Sequence, residues 1–160
     1  MHSATFTLLV LASALAVTAS NPRQVHYDGA YGSSTVTASE PVEVRYNGVY
    51  GNSALSTLNT ACSNGINGLT TKGYPTLGSL KNFPYVGASP TVEGWNSTQC
   101  GACYKINYKG KGIYVTAVDR STPGFVLSTA VLNELTGGLA VELGVITASY
   151  EPADPASCKM

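Results

Sequence analysis

Apolar and polar positions alternate over short runs along most of the chain, and turns containing glycine or proline separate the runs. Cys103-Tyr-Lys-Ile-Asn-Tyr108 and Ile113-Tyr-Val-Thr-Ala-Val118 have the period of two and the β-branched or aromatic content of strands. Between them, Lys109 to Gly112 holds two glycines and predicts a hairpin turn. Val145-Ile-Thr-Ala-Ser-Tyr150 reads as a third strand, closed off by Pro152 and Pro155. The period changes between Ser128 and Thr136, where Val131, Leu132 and Leu135 share a helical face. Ser128 supplies an N-cap there and Gly137-Gly138 a stop, which predicts one short helix, with another around Pro75 to Leu80. Short strands with little helix make an all-β barrel or sandwich the expected class.

Ahead of this pattern the chain has a different character. Residues 6 to 17 form an apolar run of signal-peptide length, followed by Ala14-Leu-Ala16 and Val17-Thr-Ala19, each a small-x-small cleavage site. We read residues 1–19 as a signal peptide and expect a soluble, extracellular mature chain with no membrane partner. Residues 20–45 form an arm and linker that contains a repeat. Val25-His-Tyr-Asp-Gly-Ala-Tyr-Gly-Ser-Ser34 returns as Val44-Arg-Tyr-Asn-Gly-Val-Tyr-Gly-Asn-Ser53, with Val, Tyr, Gly, Tyr, Gly and Ser in register. Two copies are too few for a solenoid, which needs about three or more stacked units. Residues 46–160 remain for one compact domain.

Composition narrows the function. Nine Lys plus Arg balance nine Asp plus Glu, which leaves no net charge. Nucleic acid is therefore not an expected partner, because its binding leans on an excess of Lys and Arg. A Ser-, Thr-, Asn-, Gly- and Tyr-rich surface suits neutral ligands that carry hydroxyl groups.

The residues able to do chemistry are few. Cys62, Cys100, Cys103 and Cys158 are the four cysteines, and Cys100-Gly-Ala-Cys103 has redox-motif spacing. The only histidines are His2 and His26, so a zinc site would need all four thiolates, of which only one pair is suitably spaced. Two disulfides are the better reading in a secreted chain, with no metal and no cofactor. Lack of a histidine in the globular part also removes Ser-His-Asp and Cys-His catalysis. Glycosidic hydrolysis ordinarily needs two carboxyl groups across a cleft. Asp119, at the end of an apolar strand before Arg120-Ser-Thr-Pro-Gly124, is the carboxylate best placed to face a groove, and Glu93 is the only other candidate. Among aromatics, Tyr46, Tyr50, Tyr74, Trp95, Tyr104 and Tyr114 are candidates for stacking on sugar rings. Asn96-Ser97-Thr98 is an N-glycosylation acceptor triplet.

Several motifs then follow one another in a recognisable order. Cys62-Ser-Asn-Gly-Ile-Asn-Gly-Leu69 is followed by Thr71-Lys-Gly-Tyr-Pro-Thr-Leu-Gly-Ser-Leu80 and Asn82-Phe-Pro-Tyr-Val-Gly87. After these come Gly94 to Tyr104, Tyr114-Val-Thr-Ala-Val-Asp119, Gly124-Phe125 and Leu135-Thr-Gly-Gly138. From about Tyr46 to Cys158 the chain resembles the cerato-platanins, small secreted fungal proteins. The resemblance implies a six-stranded double-ψ β-barrel like the first domain of expansins, with disulfides Cys62–Cys100 and Cys103–Cys158. It implies a non-catalytic protein that binds chitin or N-acetylglucosamine oligomers in a shallow groove and loosens cellulose. It also implies an elicitor or phytotoxin that meets a plant surface receptor, located outside the cell or in the fungal cell wall. Asp119 takes the place of the family's groove aspartate, and Asn64, Tyr46, Trp95 and Tyr104 complete the expected ligand set. Tyr104 stands where many members have Trp, and Asn64 where Asp is common.

Two rival readings remain at this level. One is a lytic glycosidase or transglycosylase that uses Asp119 with Glu93. The other is a surface coat in which an otherwise monomeric protein self-assembles through exposed apolar patches.

Overall fold

A computed structural model describes residues 41–160. The expected signal peptide at 1–19, the first repeat copy at 25–34 and nearly all of the expected 20–45 arm lie outside the described residues. The described chain forms a closed barrel of six strands: β1 (Val42–Tyr46), β2 (Val86–Ser89), β3 (Cys103–Tyr108), β4 (Lys111–Arg120), β5 (Phe125–Leu127) and β6 (Val145–Ala153). Around the barrel the order is β1-β5-β2-β4-β3-β6. The pairs β1–β5 and β2–β4 are parallel, and the other four are antiparallel. The expected six-stranded barrel with short helices and two disulfides is therefore what this chain forms.

The alternating runs drive closure. Val44, Val86, Ile106, Val115, Phe125, Leu127 and Ile146 point inward and are buried. Phe125, Tyr104 and Tyr150 meet edge to face in that core, with ring centroids 5.0 to 5.8 Å apart. Helix α1 (Thr129–Thr136) covers one side with Val131, Leu132 and Leu135. Ser128 caps it, accepting from the Val131 amide while donating to the Pro84 carbonyl, and Gly137 ends it. A second short helix, α2 (Ala140–Leu143), follows.

The structure moves several boundaries. Val42–Arg45, assigned above to the linker, belong to the barrel: Val42 to Arg45 pair with β6, and Val44 to Tyr46 with β5. Gly124 permits this seam, since its φ is +72° and a Cβ there would sit 2.1 Å from the Glu43 carbonyl oxygen. β6 does not stop at Tyr150 but runs through Pro152 to Ala153. Its pairing with β1 ends at Ala148, so Pro152 has β3 alone as a neighbour, an edge position that tolerates the missing N–H. The β3–β4 turn is two residues, Lys109-Gly110, both at positive φ, rather than four. Around Pro75 to Leu80 there is only a 3-10 turn at Leu77–Ser79.

Both disulfides pair as the resemblance implied, Cys62–Cys100 and Cys103–Cys158. The first loop contains β2 and the second contains β3 to β6, which leaves β1 as the one strand outside both. Replacing Cys103 and Cys158 by alanine opens a loop with a sequence separation of 55. By the chain-entropy relation that change removes about 4 kcal/mol. Thermal unfolding of the variant under oxidising conditions should show a clearly lowered midpoint, and an unchanged midpoint would refute this account.

Candidate functional site

Asp119 owes its position to a break in register. Along the β2–β4 ladder Gly87 faces Ala117, and the next residue, Ala88, faces Asp119, so Val118 is an extra residue. Such a bulge redirects the side chains that follow it. Val118 is fully buried and Asp119 comes out half-buried. Its Oδ1 accepts from the amides of Ala61 and Arg120, each at 2.8 Å. Its Oδ2 accepts from the Tyr50 hydroxyl at 3.0 Å. One carboxylate thus joins β4, the loop that begins at Ala61 and the 3-10 turn Gly48–Gly51.

Tyr50 is the partner that the expected ligand set left out. It is 8 % exposed and belongs to the second repeat copy, in which Asn47 caps the turn by accepting from the Val49 amide. Burial first, then the negative charge of Asp119 and the hydrogen bond to it, holds the Tyr50 phenol well above the ordinary tyrosine range. Tyr46 lies just ahead of that turn, half-buried against the core and paired with Leu127. No hydrogen bond joins Tyr46 to Asp119 among the described residues.

Three residues past Ala61, Asn64 performs a different task. Its Oδ1 accepts from the Trp95 indole Nε1 at 2.7 Å. Trp95 is nevertheless 66 % exposed. The neighbouring Asn96 has φ +61°, accepts from the Asn67 amide at Oδ1 and from Asn67 Nδ2 at its carbonyl, both at 2.9 Å. Gly65, at φ +85°, leaves room for this contact, because a Cβ would lie 2.6 Å from Asn96 Oδ1. The loops 64–67 and 95–96 are therefore laced together, and the Cys62–Cys100 bridge ties the residues that flank them. The backbone carries the link from Asp119 to Trp95, since three residue steps from Ala61 to Asn64 span at most about 11 Å.

Tyr104 does not belong to this surface. It is 3 % exposed, its hydroxyl is paired with Thr91 at 2.7 Å and Gln99 at 2.9 Å, and its ring packs on Phe125 and Tyr150. No face is left for a sugar, so the expectation for this residue is corrected. The position on β3 that follows Cys103 points into the barrel, which a strand pattern of mixed tyrosines and lysine does not reveal.

Chemically the arrangement supplies acceptors and one aromatic face. Glu93 is exposed and makes no hydrogen bond to Asp119. Among the described residues no three His, Cys, Asp or Glu side chains gather as metal ligands. Two clefts, of about 200 and 490 Å³, lie near Tyr114 and near Lys72 and Met160, and neither includes Asp119 or Trp95. No helix among the described residues is long and apolar enough to cross a membrane.

Comparison with known proteins places this geometry. The family model for cerato-platanin matches residues 42–160. Allergen Asp f 15 of Aspergillus fumigatus is 51 % identical over 100 residues, which is 62 % of this chain and 65 % of that protein, just under two thirds of its length. Cerato-platanin of Ceratocystis fimbriata f. sp. platani is 38 % identical over 106 residues, 65 % of this chain and 77 % of that one. The crystal structure of cerato-platanin 3 from M. perniciosa superposes with a TM-score of 0.73 at 41 % identity, covering 76 % of this chain and all of the other. The solution structure described as the fungal elicitor cerato-platanin gives 0.67 at 35 % identity, covering 73 % and 96 %.

The Tyr50–Asp119 contact is testable by alkaline titration. An unfolded phenol titrates near about 10, so folding favours the protonated form. That contribution is whole below about pH 10 and is lost as pH rises through the higher folded value. Tyrosinate absorbance should therefore show Tyr50 ionising late, as the barrel opens. Tyr50→Phe should take one phenol out of that late step, to which buried Tyr104 also contributes, and cost about 1.5–3 kcal/mol for one bond to a carboxylate. A variant whose missing phenol comes from the early part of the titration instead would contradict the contact.

Proposed function

The chain belongs to the cerato-platanin family, and on that premise we propose that it is a secreted, non-catalytic fungal protein that binds neutral polysaccharide. Its ligands are chitin or N-acetylglucosamine oligomers and cellulose, and its action is to loosen wall polymer without cutting it. The observation that carries this reading is Trp95, a ring two-thirds in solvent whose polar edge Asn64 fixes. An exposed, immobilised indole gives the C–H face of a sugar ring somewhere to stack, at little cost in side-chain freedom. Asp119 Oδ2 keeps acceptor capacity beyond its bond to Tyr50 and can take a sugar hydroxyl. Zero net charge suits a neutral polymer.

Loosening needs no bond cleavage. A protein that binds the separated polymer better than the packed one shifts the balance between them. Hydrolysis would ask for a second carboxyl group opposite Asp119, which is itself occupied by three donors. The elicitor role named for the solved relative carries over to this chain as part of the same proposal, with a plant surface receptor as partner.

Incubating the mature protein with chitin beads and filter paper tests the reading. Retention and dispersal of paper fibres are expected, with no reducing sugar released. Trp95→Ala should weaken retention about tenfold, since an aromatic stacking contact is worth on the order of 1.4 kcal/mol. Sugar release that disappears in Asp119→Ala would instead establish the glycosidase.

A second reading has its own observation. Leu139, Val141, Leu143 and Val145, just before, along and just after α2, are each 41 % or more exposed. A run of this kind suits adsorption to apolar surfaces and self-assembly there. Retention on hydrophobic beads that survives Trp95→Ala and is lost in Val141→Ser would favour this coat-like role.

A further inference from the structure

We propose that Asn96 is an N-glycosylation site and that its oligosaccharide covers the exposed face of Trp95. Asn96-Ser97-Thr98 satisfies the acceptor pattern, and the fold adds what the triplet alone does not provide. The Asn67 backbone N–H can only donate, so the Asn96 amide atom 2.9 Å from it is the oxygen. The amide nitrogen therefore points away from the 64–67 loop, and it makes no hydrogen bond among the described residues. No buried side-chain nitrogen or oxygen among those residues lacks a partner, so Nδ2, with no partner among them, is not sealed from solvent. The side chain has its oxygen anchored inward and its reactive nitrogen outward. That is the orientation a folded chain needs if it is to carry a sugar at this atom.

The modification happens on the chain as it enters the secretory lumen, and the co-reactant is an oligosaccharide on a lipid diphosphate. Nδ2 bonds to the anomeric carbon, the bond from that carbon to the diphosphate oxygen breaks, Nδ2 gives up one proton, and the lipid diphosphate leaves. The product is still a planar amide whose Oδ1 can accept from Asn67, so the lacing of the two loops is kept. Thr98 is exposed, and its side chain makes no hydrogen bond among the described residues.

The immediate neighbour of the acceptor is Trp95, 66 % exposed and held still by Asn64. Sugars linked to Asn96 are tethered one residue from that ring. Their high local concentration makes them the first occupants of the face proposed above for polysaccharide, which is an intramolecular competition. This consequence for binding rests on the preceding functional reading, whereas the modification and the shielding do not.

The full chain, secreted from a fungal host, provides the test. Intact mass should exceed that of the polypeptide, fall on treatment with peptide N-glycosidase, match the bare polypeptide in Thr98→Ala, and stay raised in Thr98→Ser. Trp95 is the only tryptophan, so its fluorescence reports this site alone. Acrylamide should quench it less in the glycosylated protein than in Thr98→Ala. Absence of enzyme-removable mass on the peptide that contains Asn96 overturns the proposal, and equal quenching in the two proteins overturns the shielding. Chitin retention should be stronger for Thr98→Ala. If neither form is retained while mass and quenching behave as expected, the polysaccharide reading fails and the glycan assignment stands.

Discussion

Two disulfides that meet three residues apart, at Cys100 and Cys103, hold together what sequence distance would separate. Cys100 reaches back to Cys62 at the start of the site loop, and Cys103 opens β3 and reaches forward to Cys158 near the end of the chain. A domain of this size buries a limited core, and cross-links that shrink the unfolded ensemble offset that shortage. The same bridges limit how far the loops around Asn64 and Trp95 can stray from the barrel. The site surface is thus a product of the staples as much as of the sheet.

Asp119 complements the staples with a polar clamp. A bulge at Val118 turns it out of the β2–β4 ladder, and three donors from three separate segments converge on its two oxygens. A carboxylate used in this way is both a structural tie and a surface acceptor. Removing it would disturb the site and the fold at once, which makes the exposed Trp95 the cleaner probe of binding. Tyr50 brings the repeat segment into the same clamp and so gives the second copy a defined place in the barrel.

Much of the barrel was legible in the chain. The β3–β4 hairpin, the core of β6, and α1 with its Ser128 cap and Gly137 stop all follow from local pattern and capping chemistry. The errors have a common source. Pro152 reads as a strand end because a sequence does not show that β6 has lost one neighbour there. Val42–Arg45 read as linker because a strand this short is recognisable only by its partners, β5 and β6. Tyr104 reads as a binding aromatic because inward and outward tyrosines look alike until the strand has neighbours. Tyr50 and Asp119 are 69 positions apart, and nothing local pairs them.

The sequence by itself determined the element types, the cysteine inventory, the neutral surface and the short list of aromatics and carboxylates, because these depend on composition and near-neighbour patterning. Only the tertiary structure decided which of those side chains face water. Closing the barrel buried Tyr104, and lacing two loops turned Trp95 outward. The bulge at Val118 set Asp119 against Tyr50 and Ala61. Each of these outcomes is set by contacts between segments far apart in the chain, and a one-dimensional pattern carries no record of them.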